Sequence, residues 1–127
     1  MSKVGCIYTV LFRYYDVNDR EIKFKKRPFL VIKEEDGDYP KDLTVLPIST
    51  ITNKKRRNDT YDIPIENKRY PELNLNMDVS YIRCHKAQTI NEKDLLKQIC
   101  DNCNAFYPDL YDEIREKLST FFNFDIL

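Results

Sequence analysis

The hydrophobic positions fall into short β-branched runs separated by polar turns, and two of these runs dominate the chain. Arg27-Pro28-Phe29-Leu30-Val31-Ile32-Lys33 and Leu43-Thr44-Val45-Leu46-Pro47-Ile48-Ser49-Thr50 are apolar along their length and end on polar residues. Buried strands that deliver a polar side chain to the rim of a sheet have this pattern. Glu34-Glu35-Asp36-Gly37-Asp38-Tyr39-Pro40 between them is dense in turn formers, so the two runs are predicted to pair. Upstream, Gly5 to Phe12 predicts a well-covered strand. Arg13 to Lys26 predicts a long loop or extended hairpin, ending at Arg27-Pro28, where proline biases the preceding residue to an extended backbone.

Downstream, Ile51 to Asn58 is polar and basic and predicts a loop. Tyr61-Asp62-Ile63-Pro64-Ile65 alternates, but Pro64 cannot donate to a ladder, so this is an expected edge strand. After a loop from Glu66 to Asn76, strand character resumes over Asp78 to Cys84 and in a shorter piece over Ala87 to Ile90. Asn91 is a good N-cap, and Leu95, Leu96 and Ile99 share one helical face, which predicts a helix from about 92 to 101. Pro108 opens a second helix, whose Leu110, Ile114, Leu118 and Phe122 repeat every fourth residue as a core-facing stripe. Strands first and helices last give an α+β class: a small, strongly bent antiparallel sheet with C-terminal helices, one domain over residues 1–127.

A chain of 127 residues can bury roughly two thirds of its unfolded surface without a metal or disulfide staple. No apolar run approaches the roughly 18 residues that span a membrane, and there is no signal-peptide core, so a cytoplasmic protein is expected. The formal net charge is zero, but residues 1–90 carry 17 Lys/Arg against 13 Asp/Glu and residues 91–127 carry 4 against 8. That asymmetry leaves room for a polyanion on the N-terminal part. Two basic clusters lie there, Lys23, Lys25, Lys26 and Arg27, then Lys54, Lys55, Arg56 and Arg57; as readily, they are solvated loop charges. Cys6, Cys84, Cys100 and Cys103 with the lone His85 leave a Cys/His metal protein as a third, disfavoured alternative, because Cys100-Asp101-Asn102-Cys103 has no second pair at zinc-ligand spacing. Reduced thiols, no metal and no cofactor are the expectation.

The order Gly5-x-Ile7, a polar loop with Glu21, Arg27-Pro28-Phe29-Leu30-Val31-Ile32, Val45-Leu46-Pro47-Ile48-Ser49, and Ile82-Arg83-Cys84-His85-Lys86-Ala87-Gln88-Thr89-Ile90-Asn91 resembles the MazF/PemK (Kid-like) toxins of bacterial type II toxin–antitoxin systems, over about residues 4 to 122. The resemblance implies the plasmid-maintenance toxin fold, an SH3-like barrel, and a homodimer. It also implies a metal-independent, sequence-selective endoribonuclease acting on single-stranded RNA, neutralised by a cognate antitoxin protein that lays a flexible segment across the RNA groove. Arg27 lies on the family's Arg before Pro, Ser49 on a position usually held by Thr, Arg83 on the Arg of the PemK-type motif and His85 on the Asp two residues later. These four are the expected catalytic residues, and Lys23, Lys25, Lys26, Lys54, Lys55, Arg56 and Lys86 the expected RNA-binding ones. Cys6 departs from the acidic residue that follows the first Gly in many members, and the stretch Arg13 to Lys26 lacks the usual Gly.

Cutting RNA without a metal uses the ribose 2′-OH as nucleophile on the adjacent phosphate and leaves 2′,3′-cyclic phosphate and 5′-OH ends. The site needs a base, an acid and fixed cations. Arginine presents a fork of donors that suits phosphate oxygens, and His85 titrates near 6.5 in an unperturbed setting. Arg83 and His85 share strand parity and can face one groove, whereas Cys84 faces the other way and packs. Plainer alternatives stand beside each role: Arg27 as an exposed charge at a strand start, Ser49 as a hydroxyl bonded to backbone, His85 as a surface histidine in a turn, and Arg83 as the partner of a carboxylate such as Asp78. The rival function is a catalytically weak protein- or nucleic-acid-binding module of the same fold.

Overall fold

The computed structural model of the chain describes residues 2–51 and 53–126. The strands are β1 (Ile7–Asp16), β2 (Glu21–Glu34), β3 (Asp42–Ser49), β4 (Asp62–Glu66), β5 (Val79–Arg83), β6 (Gln88–Asn91) and β7 (Leu95–Cys100). A one-turn α1 (Cys103–Phe106) and the long α2 (Pro108–Ile126) follow. The strands form one strongly curled antiparallel sheet in the order β4-β5-β3-β2-β1-β7, with β6 on β3, which is the expected α+β architecture.

The expected pairing of the two dominant runs is present as β2 against β3, with Phe29 opposite Pro47 and Leu30 opposite Leu46. On its other edge β3 takes β6 along Asp42 to Val45, then β5 at Ile48 and Ser49. Both faces of the central strands are covered, which is why their sequences are apolar without alternation. One face joins Ile7, Leu30, Leu46, Ile48 and Ile82 to Leu110 and Ile114 of α2; the other gathers Val10, Phe29, Val31, Leu43 and Val45. β4 lies at the sheet edge with Pro64 exposed, as proline requires.

Arg13 to Lys26 is the extended hairpin, not the loop: the β1–β2 register runs unbroken from Ile7–Leu30 to Asp16–Glu21. Its turn needs no glycine, because Asp16 Oδ1 accepts from the backbone N–H groups of Asn18 and Asp19 and Arg20 takes a left-handed φ of 53°. β7 flanks β1 only as far as Val10, and β3 flanks β2 only from Phe29 onward. The distal hairpin is therefore a two-stranded arm, and Leu11, Tyr15, Ile22 and Phe24 are exposed along one of its faces. The expected loop from Ile51 to Asn58 contains a single 3₁₀ turn at Lys54–Arg56, capped by the Asn53 side chain; Thr52 lies outside the described residues.

The helix expected over residues 92–101 is not there. Asn91 does cap, accepting from the Lys93 N–H, but it caps one 3₁₀ turn, Glu92–Asp94. That turn is pinned from outside: the buried Glu92 carboxylate accepts from the Lys41 N–H and lies 2.6 Å from Lys3 Nζ. Leu95–Cys100 then satisfies its backbone on β1, as β7. The strand pairs Ile7 with Cys100 and Val10 with Leu95 through two register shifts, so Leu95 and Ile99 reach opposite cores. The second helix is present, with Leu110 and Ile114 buried and Leu118 half-buried. The stripe runs out of the core at Phe122, which is 42% exposed. Its neighbour Phe121 turns instead onto Tyr61.

Candidate functional site

The curl of the sheet opens a groove of about 1030 Å³ bounded by β1, β2, β7, the end of β3 and the segment at Asn74 to Met77. Lys25, Lys26 and Arg27 of β2, Ser49 of β3 and Lys97 of β7 line it, and among the described residues none that lines it is a carboxylate. An anion entering it meets four cations and no opposing charge. Arg27 is half-buried, with its guanidinium carbon 5.5 Å from the Phe12 ring centroid and a buried Nε that has no hydrogen-bond partner. Placing the Arg before Pro28 within β2 fixes its backbone and leaves the guanidinium unspent on an internal carboxylate.

Arg83 and His85 do not line this groove. They meet each other in a second cluster, around a carboxylate that the sequence pattern did not single out. Arg83 Nε donates to Asp62 Oδ1 at 3.0 Å, and its Nη2 donates to the Arg56 carbonyl at 3.0 Å and lies 3.4 Å from His85 Nε2. His85 Nδ1 stands 3.7 Å from Asp62 Oδ1, too far for a hydrogen bond, and is buried with no partner. Asp62 is itself fixed, with its side chain 2% exposed and Oδ2 accepting from the Asn58 N–H at 2.7 Å. The expected parity of Arg83 and His85 is thus realised, but the carboxylate beside Arg83 is Asp62 and not Asp78, which is exposed. The missed signal was the register of β4 on β5, in which Asp62 is the direct partner of Arg83.

His85 sits in the turn after β5 with its side chain 11% exposed, so it is not a surface histidine. Tyr61 and Phe121 pack near it, with ring centroids 6.1 Å and 6.4 Å away. Burial lowers its pKa below the ordinary 6.5; Asp62 opposes that shift, and Arg83 and Lys86 add to it. The imidazole is neutral at physiological pH.

The two clusters share one face of the sheet. Ser49 is the direct partner of Tyr81, and Arg83 lies two residues further along β5 with the same orientation. Arg27 and Ser49 each lie two residues beyond the Phe29–Pro47 pair, on the same side of β2 and β3. From strand spacing and rise, the Cα atoms of Arg27 and Arg83 are roughly 12 Å apart. Between them, Arg57 Nη1 donates to the Tyr81 hydroxyl at 2.7 Å.

The remaining basic residues are dispersed. Lys54, Lys55, Arg56 and Lys86 are exposed, near the Arg83 cluster rather than in the groove. Lys23 is held in the hairpin turn by Asp16 and Asp19. The four cysteines are free and buried; Cys84 packs in the core, and burial pushes the Cys84 and Cys103 thiols up to about 12. Among the described residues no His, Cys, Asp and Glu side chains are grouped to hold a metal, and no helix is long and apolar enough to cross a membrane.

The sequence profile of PemK-like, MazF-like toxins of type II toxin–antitoxin systems matches residues 3–122. No curated protein matches the chain. The profile spans the whole sheet, the groove, the Asp62–Arg83–His85 cluster and most of α2. The chain belongs to the PemK-like, MazF-like family of toxins of type II toxin–antitoxin systems, in which an antitoxin is the partner.

Proposed function

We propose that this toxin is a sequence-selective endoribonuclease that cuts single-stranded RNA without a metal ion. The observation that carries the proposal is the acid-free groove holding Arg27, Ser49 and three lysines, on the same sheet face as Arg83 and a neutral imidazole. RNA enters along the groove, with its phosphates on Lys25, Lys26, Lys97 and Arg27. The exposed Lys54, Lys55, Arg56 and Lys86 bind the strand where it leaves toward Arg83.

At the scissile phosphate, neutral His85 takes the proton of the 2′-OH and the 2′-oxygen attacks phosphorus. The bond to the 5′-oxygen breaks, the Ser49 hydroxyl passes its proton to that leaving oxygen while taking one from water, and the proton on His85 returns to solvent. Arg27 and Arg83 carry the negative charge that builds on the phosphorane, with Arg83 anchored through its Nε on Asp62. The products are a 2′,3′-cyclic phosphate and a 5′-OH. A base with a pKa below 6.5 is already in its free form at cellular pH, which is what the first step requires.

The antitoxin occupies the same groove, with a flexible acidic segment against cations that have no carboxylate among them. The active unit is a homodimer, in which part of the exposed apolar row Leu11, Tyr15, Ile22 and Phe24 is covered. A second reading, a catalytically weak binding module, is favoured by one observation: His85 is 11% exposed beneath two aromatic rings, with Nε2 facing Arg83. Incubating a long single-stranded RNA with the protein in EDTA separates the two. Discrete cuts with 5′-OH ends, lost in Arg27→Ala and in His85→Ala, support the nuclease; an intact RNA that still binds the folded protein supports the module.

A further inference from the structure

We infer that Asp62 is a positioning residue of this site, which holds His85 in its Nδ1–H form and Arg83 beside it; the inference rests on the roles proposed above for those two residues. A guanidinium has five donors and no acceptor. Arg83 Nη2 lies 3.4 Å from His85 Nε2, so a neutral imidazole there must offer a lone pair, and its proton must sit on Nδ1. That nitrogen is buried, has no hydrogen-bond partner, and faces Asp62 Oδ1 at 3.7 Å. The Nδ1–H dipole pointed at a buried carboxylate is favourable, whereas a lone pair pointed there is repelled.

Asp62 is built to stay. It is the first residue of β4, the direct cross-strand partner of Arg83, and both of its oxygens accept hydrogen bonds, Oδ1 from Arg83 and Oδ2 from Asn58. Among the described residues no acceptor lies within hydrogen-bond reach of Nδ1 to compete with Asp62. Tyr61 and Phe121 pack their rings near the imidazole, and Arg83 and Lys86 are cations. With Nδ1 committed to its proton, Nε2 is the basic atom, and at rest Arg83 covers it. An RNA phosphate is a stronger acceptor for Arg83 Nη2 than an imidazole lone pair. Its arrival draws the guanidinium off Nε2 and exposes the base, while Asp62 keeps hold of Arg83 Nε. The chain thus has a histidine at the position where the family resemblance expects an aspartate, and a carboxylate from the neighbouring strand behind it.

His85 is the chain's only histidine, so two-bond ¹H–¹⁵N spectra report a single imidazole without assignment. The wild-type protein is expected to show the neutral Nδ1–H form; an Nε2–H form overturns the inference with no variant needed. Asp62→Asn, checked for folding by its amide spectrum, is expected to shift the population toward Nε2–H and lower the titration midpoint. Asp62→Glu is expected to retain part of the wild-type behaviour. In cleavage, Asp62→Asn is expected to lower kcat at least roughly tenfold with KM little changed, since loss of a general base costs about 10²–10⁴. It also moves the acid limb of the pH profile to lower pH. An unchanged tautomer and midpoint in folded Asp62→Asn overturn the inference even if cleavage falls. Full cleavage by His85→Ala overturns the proposed reaction instead, and leaves the tautomer result to decide on Asp62 by itself.

Discussion

Replacing Phe121 with Ala removes the cover that α2 places over His85, and its consequences follow from the packing. Phe121 is half-buried, edge-on to Tyr61 at 5.1 Å and 6.4 Å from the His85 ring. Full burial of a Phe is worth about 3–5 kcal/mol on truncation, so a half-buried one should cost about 1.5–2.5 kcal/mol. At this chain length that is a fall in Tm of roughly 6–10 °C. The second effect is electrostatic. Burial is the largest cause of the lowered His85 pKa, so admitting water raises that pKa toward 6.5. In the wild type the unfolded chain binds more protons than the folded one as pH drops below the unfolded value, so stability is full above about pH 6.5. It is lost as pH falls toward the folded pKa, with a slope of at most about 1.36 kcal/mol per unit from this one group. Phe121→Ala should make that slope shallower. Urea denaturation at pH 7.5, 6.5 and 5.5, with the imidazole titration followed by NMR, measures both. A titration midpoint that stays put or falls in Phe121→Ala would refute burial by α2 as the cause of the neutral imidazole.

Other predictions address the groove and the frame. The four groove contacts on Lys25, Lys26, Arg27 and Lys97 should contribute about −3 to the log–log slope of single-stranded RNA affinity against salt, and Lys25→Ala/Lys26→Ala should flatten the slope by about 1.4. Fluorescence anisotropy across salt concentrations measures this, and an unchanged slope in the double variant would move the RNA elsewhere. Arg27→Lys should recover much of the RNA affinity lost in Arg27→Ala but little of the cleavage, because an ammonium lacks the fork that spans two phosphate oxygens; cleavage by Arg27→Lys at the wild-type rate would contradict that. Gly5 has φ of +89° and a Cβ there would lie 2.5 Å from Asn104 Oδ1, so Gly5→Ala should cost at least about 1–2 kcal/mol by chemical denaturation. Phe29→Ala, at a side chain 1% exposed between three strands, should cost about 3–5 kcal/mol, and a loss under about 1 kcal/mol would question the second core.

What the sequence made legible follows from which physical signals are local. The covered half of β2 from Phe29 onward and β3 were readable because strand segments covered on both faces are apolar almost throughout, and Pro28 and the acidic turn bound the first of the two runs. The shared face of Arg83 and His85, with Cys84 turned into the core, followed from a period of two. β7 was not readable, because the shifts at Ile7/Tyr8 and Thr9/Val10 break its alternation while Asn91 supplies a genuine cap for a single turn. Leu95, Leu96 and Ile99 fit either period, and the open edge of β1 decides between them. Asp62 went unnoticed for a different reason: nothing local separates a buried strand-opening carboxylate from a turn residue, and only the β4–β5 register brings it to Arg83. The same non-locality splits the four expected catalytic residues, since Arg27 and Ser49 line the groove and Arg83 and His85 stand on Asp62.

The most direct test of the central claim uses a short RNA containing one cut site and its twin bearing a single 2′-deoxy nucleotide on the 5′ side of that cut, both with the protein in EDTA. The proposed reaction predicts cleavage of the first to 2′,3′-cyclic phosphate and 5′-OH ends, visible by mass spectrometry, and an intact second strand that still binds. Cleavage of the deoxy-substituted strand at the same bond, or loss of all cutting on removing divalent ions, would contradict it.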